Sequence, residues 1–193
     1  MALCRIVLLA VCSFSVHATS VIEVTTEEML QNSALVFEGR VTDVQVREHG
    51  DHSIQTRVTF EVVDVIKGNV KSKKITLGFL GGEAAGRKLS VSNMHMPELH
   101  EHGIYFVESP GRNLVQPLYG WSQGHLKIRQ DPVGQERVFT WSGQPVRGIE
   151  HTNGKRTGRL SHGVAHGLLL GDPGDAAAAL DKQGFKQLLR AMQ

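Results

Sequence analysis

The chain has 193 residues, with 21 Lys and Arg against 19 Asp and Glu, a formal charge of +2, and only 6% aromatic residues. So balanced a charge leaves no basic footprint for nucleic acid, and so few aromatics leave no stacking platform for a single strand. The length suits one domain plus an appendage.

Residues 1–18 read as a signal peptide. Arg5 supplies the positive start, residues 6–11 the apolar core, and Val16-His17-Ala18 a small-residue cleavage site. The run is too short to span a bilayer, so no transmembrane segment is expected once it is removed. Cys12 in Leu9-Ala10-Val11-Cys12 faintly resembles a lipoprotein box, but Val11 is a poor residue there, and soluble export is the expectation. Both cysteines, Cys4 and Cys12, lie in this segment. The remaining chain of about 175 residues must therefore hold itself together by its core. A periplasmic or secreted location follows.

Thr25 and Thr26 can cap a short helix with Glu27 and Glu28 in its first turn, where carboxylates suit the dipole. Residues 32–68 are the best patterned stretch. Leu35, Phe37, Gly39 and Val41 alternate with Val36, Glu38, Arg40 and Thr42, and then Val44 and Val46 carry the apolar signal on the other parity. Such a slip predicts a β-bulge near Thr42 and Asp43. After the turn His49-Gly50-Asp51-His52, a second strand sets Ile54, Thr56, Val58, Phe60 and Val62 on one face. Its end, with Val63, Val65 and Ile66, is apolar on both faces and needs a cover. Two long strands of this kind suit a small coiled barrel.

The order Asn32-Ser33, Leu35-Val36, Arg40, Val58, Val62 and Lys67-Gly68 resembles the first hairpin of the netrin-like domains, and most closely the tissue inhibitors of metalloproteinases. The resemblance is clear over about forty residues, a span long enough for one hairpin unit, and thin up to Trp141. It implies a five-stranded OB-fold-like barrel and a partner among exported metalloproteases. The inhibitors chelate the protease zinc through an N-terminal cysteine. Here the expected start is Thr19-Ser20-Val21, so none of the inhibitory residues carries over.

Further strands are expected over 73–80, 87–93, 104–107, 114–119, 124–130 and 138–141, with Pro117 marking an edge. Residues 142–172 are broken by glycines and read as a flexible linker. Residues 175–192 read as helix, with Leu180, Phe185, Leu188, Leu189 and Met192 as its apolar stripe and Gly184 as a weak point. The expected organisation is signal peptide 1–18, barrel 19–141, linker 142–172 and C-terminal amphipathic helix 173–193.

The densest chemistry is the loop 94–102. His95, His100 and His102, with Met94 and Met96 nearby, could take copper or zinc; the plainer alternative is a His-rich polar loop. His162 and His166 have the i, i+4 spacing of a zinc protease but sit among glycines and lack the glutamate. Ser122 has no nucleophile-elbow sequence around it, and the loop carboxylates Glu83, Glu98 and Glu101 read as solvated. Met94, Met96 and Leu99 offer adaptable apolar groups on a loop, as a protein-binding edge does. The expectation is a mainly β, OB-like barrel acting as an exported, non-enzymatic protein-binding module without a cofactor. The alternative is a soluble periplasmic Cu or Zn binder.

Overall fold

The computed structural model describes residues 21–49, 53–112 and 114–193. The expected signal peptide, both cysteines and most of the first hairpin's turn lie outside these residues. Among the described residues no helix is long and apolar enough to cross a membrane.

Helix α1 (Thr26–Asn32) starts where the threonines place it. The Thr25 hydroxyl accepts from the Glu28 amide at 3.0 Å, with Glu27 and Glu28 in the first turn. Strands β1 (Leu35–His49) and β2 (Ser53–Lys67) form the predicted hairpin. Their register skips between Val41 and Asp43, so the phase slip at Thr42 is a bulge. At Gly39 a Cβ would lie 2.6 Å from the Phe37 ring and 3.2 Å from the Glu61 carbonyl oxygen. Only glycine lets β1 coil this tightly over its own neighbour.

Then follow β3 (Lys74–Leu80), β4 (Gly82–Ala84), β5 (Arg87–Leu89), β6 (His102–Val107), a 3-10 turn (Trp121–Gly124), β7 (His125–Gln130) and β8 (Glu136–Thr140). Residues 114–119, expected as a strand, are not one; Leu118 makes an isolated bridge to Val107. The chain ends with β9 (Val146–Ile149), β10 (Leu168–Leu170), a 3-10 turn (Ala176–Ala178) and α2 (Lys182–Ala191).

The main sheet is antiparallel, in the order β3-β2-β1-β6-β7-β8. Among the described residues no pairing joins β3 to β8, so the sheet is open where a closed barrel was expected. The reason lies at the free edge of β8, which the chain's own C-terminal part occupies. Phe139 bridges Pro145, Arg137 bridges Asp181, and the Val138 amide donates to the Leu180 carbonyl at 3.0 Å. Proline has no amide to extend a ladder, which suits it to an edge.

Two apolar clusters flank this coiled sheet. In one, Phe37, Phe60 and Tyr105 meet at centroid distances of 4.7 to 5.5 Å, with Val58, Leu77 and Phe79 around them. In the other, Val36, Ile104, Phe106, Leu126 and Val138 are covered by Met29 and Leu30 of α1 and by Phe185 and Leu189 of α2. Helix α2 also covers Ile66, the cover that the end of β2 called for, whereas Val63 stays half exposed.

Residues 142–172 differ from the flexible linker expected. β9 pairs with β10, and Val146, Ala165 and Leu168 are buried in the helix-covered cluster. The His166 amide donates to the Val24 carbonyl and the Ser161 amide to the Val21 carbonyl, which bind the segment to the N-terminal residues. Its glycines at 143, 154, 158, 163 and 167 all have positive φ. They serve a fixed, sharply turning path.

Candidate functional site

The structure separates the residues of the 94–102 loop. Met94 and Met96 are half-buried and pack against the Phe37–Phe60 cluster, while Leu99 is 51% exposed. His95 stacks on Trp141, with centroids 3.4 Å apart and planes at 20°. His100 is exposed at φ +67. His102 opens β6 and is buried, its Nε2 2.9 Å from Glu38 Oε1. His95 thus faces one cavity, and His100 and His102 another. Among the described residues no group of three His, Cys, Asp or Glu side chains could hold a metal.

Two histidine–carboxylate clusters stand in place of the expected loop site. Glu38, on the face of β1 that alternation marked as mostly wet, is fully buried because α2 docks there. It accepts from Lys182 Nζ at 3.0 Å and Lys186 Nζ at 2.5 Å as well as pairing with His102. Burial by itself would raise its pKa. The hydrogen bonds from His102, Lys186 and Lys182 outweigh that and hold the carboxyl far below its ordinary range. Lys182 also reaches Glu136 at 2.5 Å, and Lys186 and Arg190 both reach Asp64 at 2.8 Å. Together these ion pairs fasten α2 to the sheet.

Glu101 is half-buried and paired rather than solvated. His125 Nε2 lies 2.5 Å from its Oε1, Tyr105 Oη donates to the same oxygen at 3.1 Å, and Lys127 Nζ lies 3.1 Å from Oε2. The pair has the form of an acid–base dyad, yet His125 Nδ1 is buried with no hydrogen-bond partner. Among the described residues no hydroxyl hydrogen-bonds that nitrogen, as the nucleophile of such a dyad would. The cavity beside these clusters, about 410 Å³, pairs Arg40 with Glu136 and Lys127 with Glu101, so its charges largely satisfy one another.

A second cavity, about 230 Å³, has a different character. Both tryptophans of the chain line it, and no Asp, Glu, Lys or Arg does among the described residues. Trp121 opens the 3-10 turn at φ +62, after Gly120 at φ +66, and Asn93 across the cavity is at φ +61. A bulky residue in this region costs about 1–3 kcal/mol and needs outside support. Buried Gln123 supplies it. Its Nε2 donates to the carbonyls of Ile22 and Gly120 at 3.1 and 3.0 Å, and its Oε1 accepts from the Val24 amide at 2.9 Å. Ser122 Oγ donates to the Asn93 carbonyl at 2.9 Å, which ties the turn to the loop that carries His95.

Trp141 is placed by the β7–β8 hairpin. Leu126 pairs with Thr140, so residue 141 lies beside the start of β7, next to the turn that carries Trp121. Gly163 closes over the indole, where a Cβ would lie 2.2 Å from Nε1. That nitrogen is buried without a hydrogen-bond partner. Ser161 and His162 complete the wall. Burial holds the His95 pKa below its usual value, and the neighbouring His125 and Lys127 add to this, so the imidazole is neutral at pH 7.

Sequence reasoning passed over this cavity because it weighed Ser122 only as a nucleophile, and nothing in Gly120-Trp121-Ser122-Gln123-Gly124 by itself marks a cleft. The signal that could have found it is the hairpin register, which sets residues 121 and 141 at one end. Neither a protein family, nor a curated protein, nor a solved structure matches the chain.

Proposed function

We propose that the protein is an exported, non-enzymatic binding module of the netrin-like, OB-like kind with an open sheet, and that the Trp121–Trp141 cleft is its recognition site. The observation that carries this reading is the convergence of both tryptophans on an open cleft whose described lining has no Asp, Glu, Lys or Arg, one of them held in a strained backbone conformation. Strain of this sort persists where a surface is kept ready for a ligand. The non-enzymatic part is supported by the two histidine–carboxylate clusters, which spend their hydrogen bonds inside the fold. The OB-like kinship is supported by the long bulged β1, shared between β2 and β6. The partner class that the resemblance favours is an exported metalloprotease.

The Met94–Met96–Leu99 edge is the weaker candidate, since both methionines are engaged with the core. Capture of the partner from the exported fraction separates the two surfaces. Trp121→Ala is expected to weaken capture about tenfold or more, equivalent to about 1.4 kcal/mol. The triple change of Met94, Met96 and Leu99 to Ser is expected to act mainly on stability. Undiminished capture by folded Trp121→Ala protein contradicts this assignment. Export itself predicts that N-terminal sequencing of the protein from that fraction returns Thr19; Met1 contradicts it.

A further inference from the structure

We infer that the cleft takes a single neutral pyranose ring, free or at the end of a glycan; this rests on the cleft being the recognition site. Size limits the ligand first. At about 230 Å³ the space falls short of sites for drug-sized molecules, which begin near 300 Å³, and it admits one ring.

The wall chemistry narrows it further. Trp121 and His95, which stacks on Trp141 and takes one of its faces, give apolar surface, and an indole face is electron-rich, so Trp121 attracts the C–H groups of a sugar ring. Beside them the polar groups are neutral and differ in sense. Ser122 gives its proton to the Asn93 carbonyl, which leaves its oxygen free to accept. Ser161 Oγ accepts from the Gly163 amide at 2.9 Å, which leaves its proton free to donate. Sugar hydroxyls both give and take hydrogen bonds and match such a mixed set.

Charge excludes the main rivals. A phosphate or sulfate finds no Lys or Arg among the described lining residues. A quaternary ammonium would suit an aromatic pocket, but no Asp or Glu among the described lining residues balances its charge. A proline-rich peptide needs an extended groove; here the Trp141 N–H is enclosed against Gly163.

Because both tryptophans line the cleft, the protein's whole indole fluorescence reports on it. The test titrates the purified protein with glucose, galactose, mannose and N-acetylglucosamine, with glucuronate and glucose 6-phosphate as charged counterparts, and with a polyproline peptide. At least one neutral sugar is expected to give a saturable change with a Kd on the order of millimolar, as befits a single ring. Its charged counterpart is expected to bind at least about tenfold more weakly. Ser161→Ala is expected to weaken the sugar about fivefold with the melting temperature unchanged, and Trp121→Ala to remove the response. No saturation by any neutral sugar up to about 100 mM, some hundredfold above the expected Kd, overturns the inference, as does equal binding of the charged forms or a response to the peptide alone. If Trp121→Ala abolishes partner capture while no sugar binds, the sugar falls and the binding-module reading stands. If enzymatic deglycosylation of the captured partner releases it, the pyranose is the end of a glycan; if capture persists while free sugar competes with it, the inference holds for the free sugar alone.

Discussion

Glu38 concentrates the fold's electrostatic dependence in one side chain. It is wholly buried and bonded to His102, Lys182 and Lys186. Glu38→Ala removes the carboxylate and leaves the ammonium of Lys186 buried without that partner, which is expected to cost about 3–5 kcal/mol. Replacing Glu38 and Lys186 together by Met is expected to recover most of this, because the penalty belongs to the buried charge of Lys186, left with Asp64 as its remaining carboxylate. Urea melts of the single and double variants measure both. Acid has the same target. The folded-state pKa of Glu38 is depressed, so its stabilisation is fully present above the unfolded-state value of about 4.3 and is lost as pH falls through the folded value. Asp64, Glu101 and Glu136 shift in the same direction. The urea midpoint is therefore expected to fall steadily below about pH 5; a midpoint unchanged down to pH 3 contradicts the assignment. The alternation in β1 read Glu38 as outward, and it is outward from the Phe37 cluster. A two-fold period cannot say that a helix 144 residues later will cover that face.

Among the elements, the β1–β2 hairpin was legible because β2 buries Ile54, Thr56, Val58 and Phe60 in alternation, and one-sided burial imposes period two. The bulge was legible because it breaks that period at a single residue, Thr42. Helix α2 was legible from its stripe, of which Phe185 and Leu189 are buried and Leu188 is exposed. The segment 142–172 was illegible for a physical reason: glycines that permit disorder are the same glycines that permit sharp, ordered turns. What orders them is long-range, in the bonds to Val21 and Val24. The cleft was illegible in the same way, since its walls come from Val21, from Asn93 and His95, and from residues 120–122, 141 and 161–163. The register of β7 and β8 alone would have joined two of these five segments. A test at this scale is truncation after Ala179. If α2 were an appendage, the remainder would keep a cooperative melt. Because α2 covers Ile66 and neutralises Glu38, the truncated chain is expected to lose its sharp thermal transition and to bind a hydrophobic dye, as calorimetry and dye fluorescence would show.

In the whole molecule, the coiled sheet holds one apolar cluster within its curl, and the helices and C-terminal segment cover the other. The same C-terminal segment occupies the edge of β8 that a closed barrel would have paired, and its residues 161–163 form one wall of the cleft. The cleft is therefore built by the completed fold, and its strained turn is held by Gln123 from within. The most direct measurement is acrylamide quenching of tryptophan fluorescence, in the free protein and with the partner bound. Trp121 and Trp141 are the only indoles and both line the proposed recognition site. Provided that the partner's own indoles are replaced by Phe, the account predicts a Stern–Volmer constant at least about twofold lower in the complex, as expected where a partner excludes water from an anchor residue. An unchanged constant at saturating partner would contradict it.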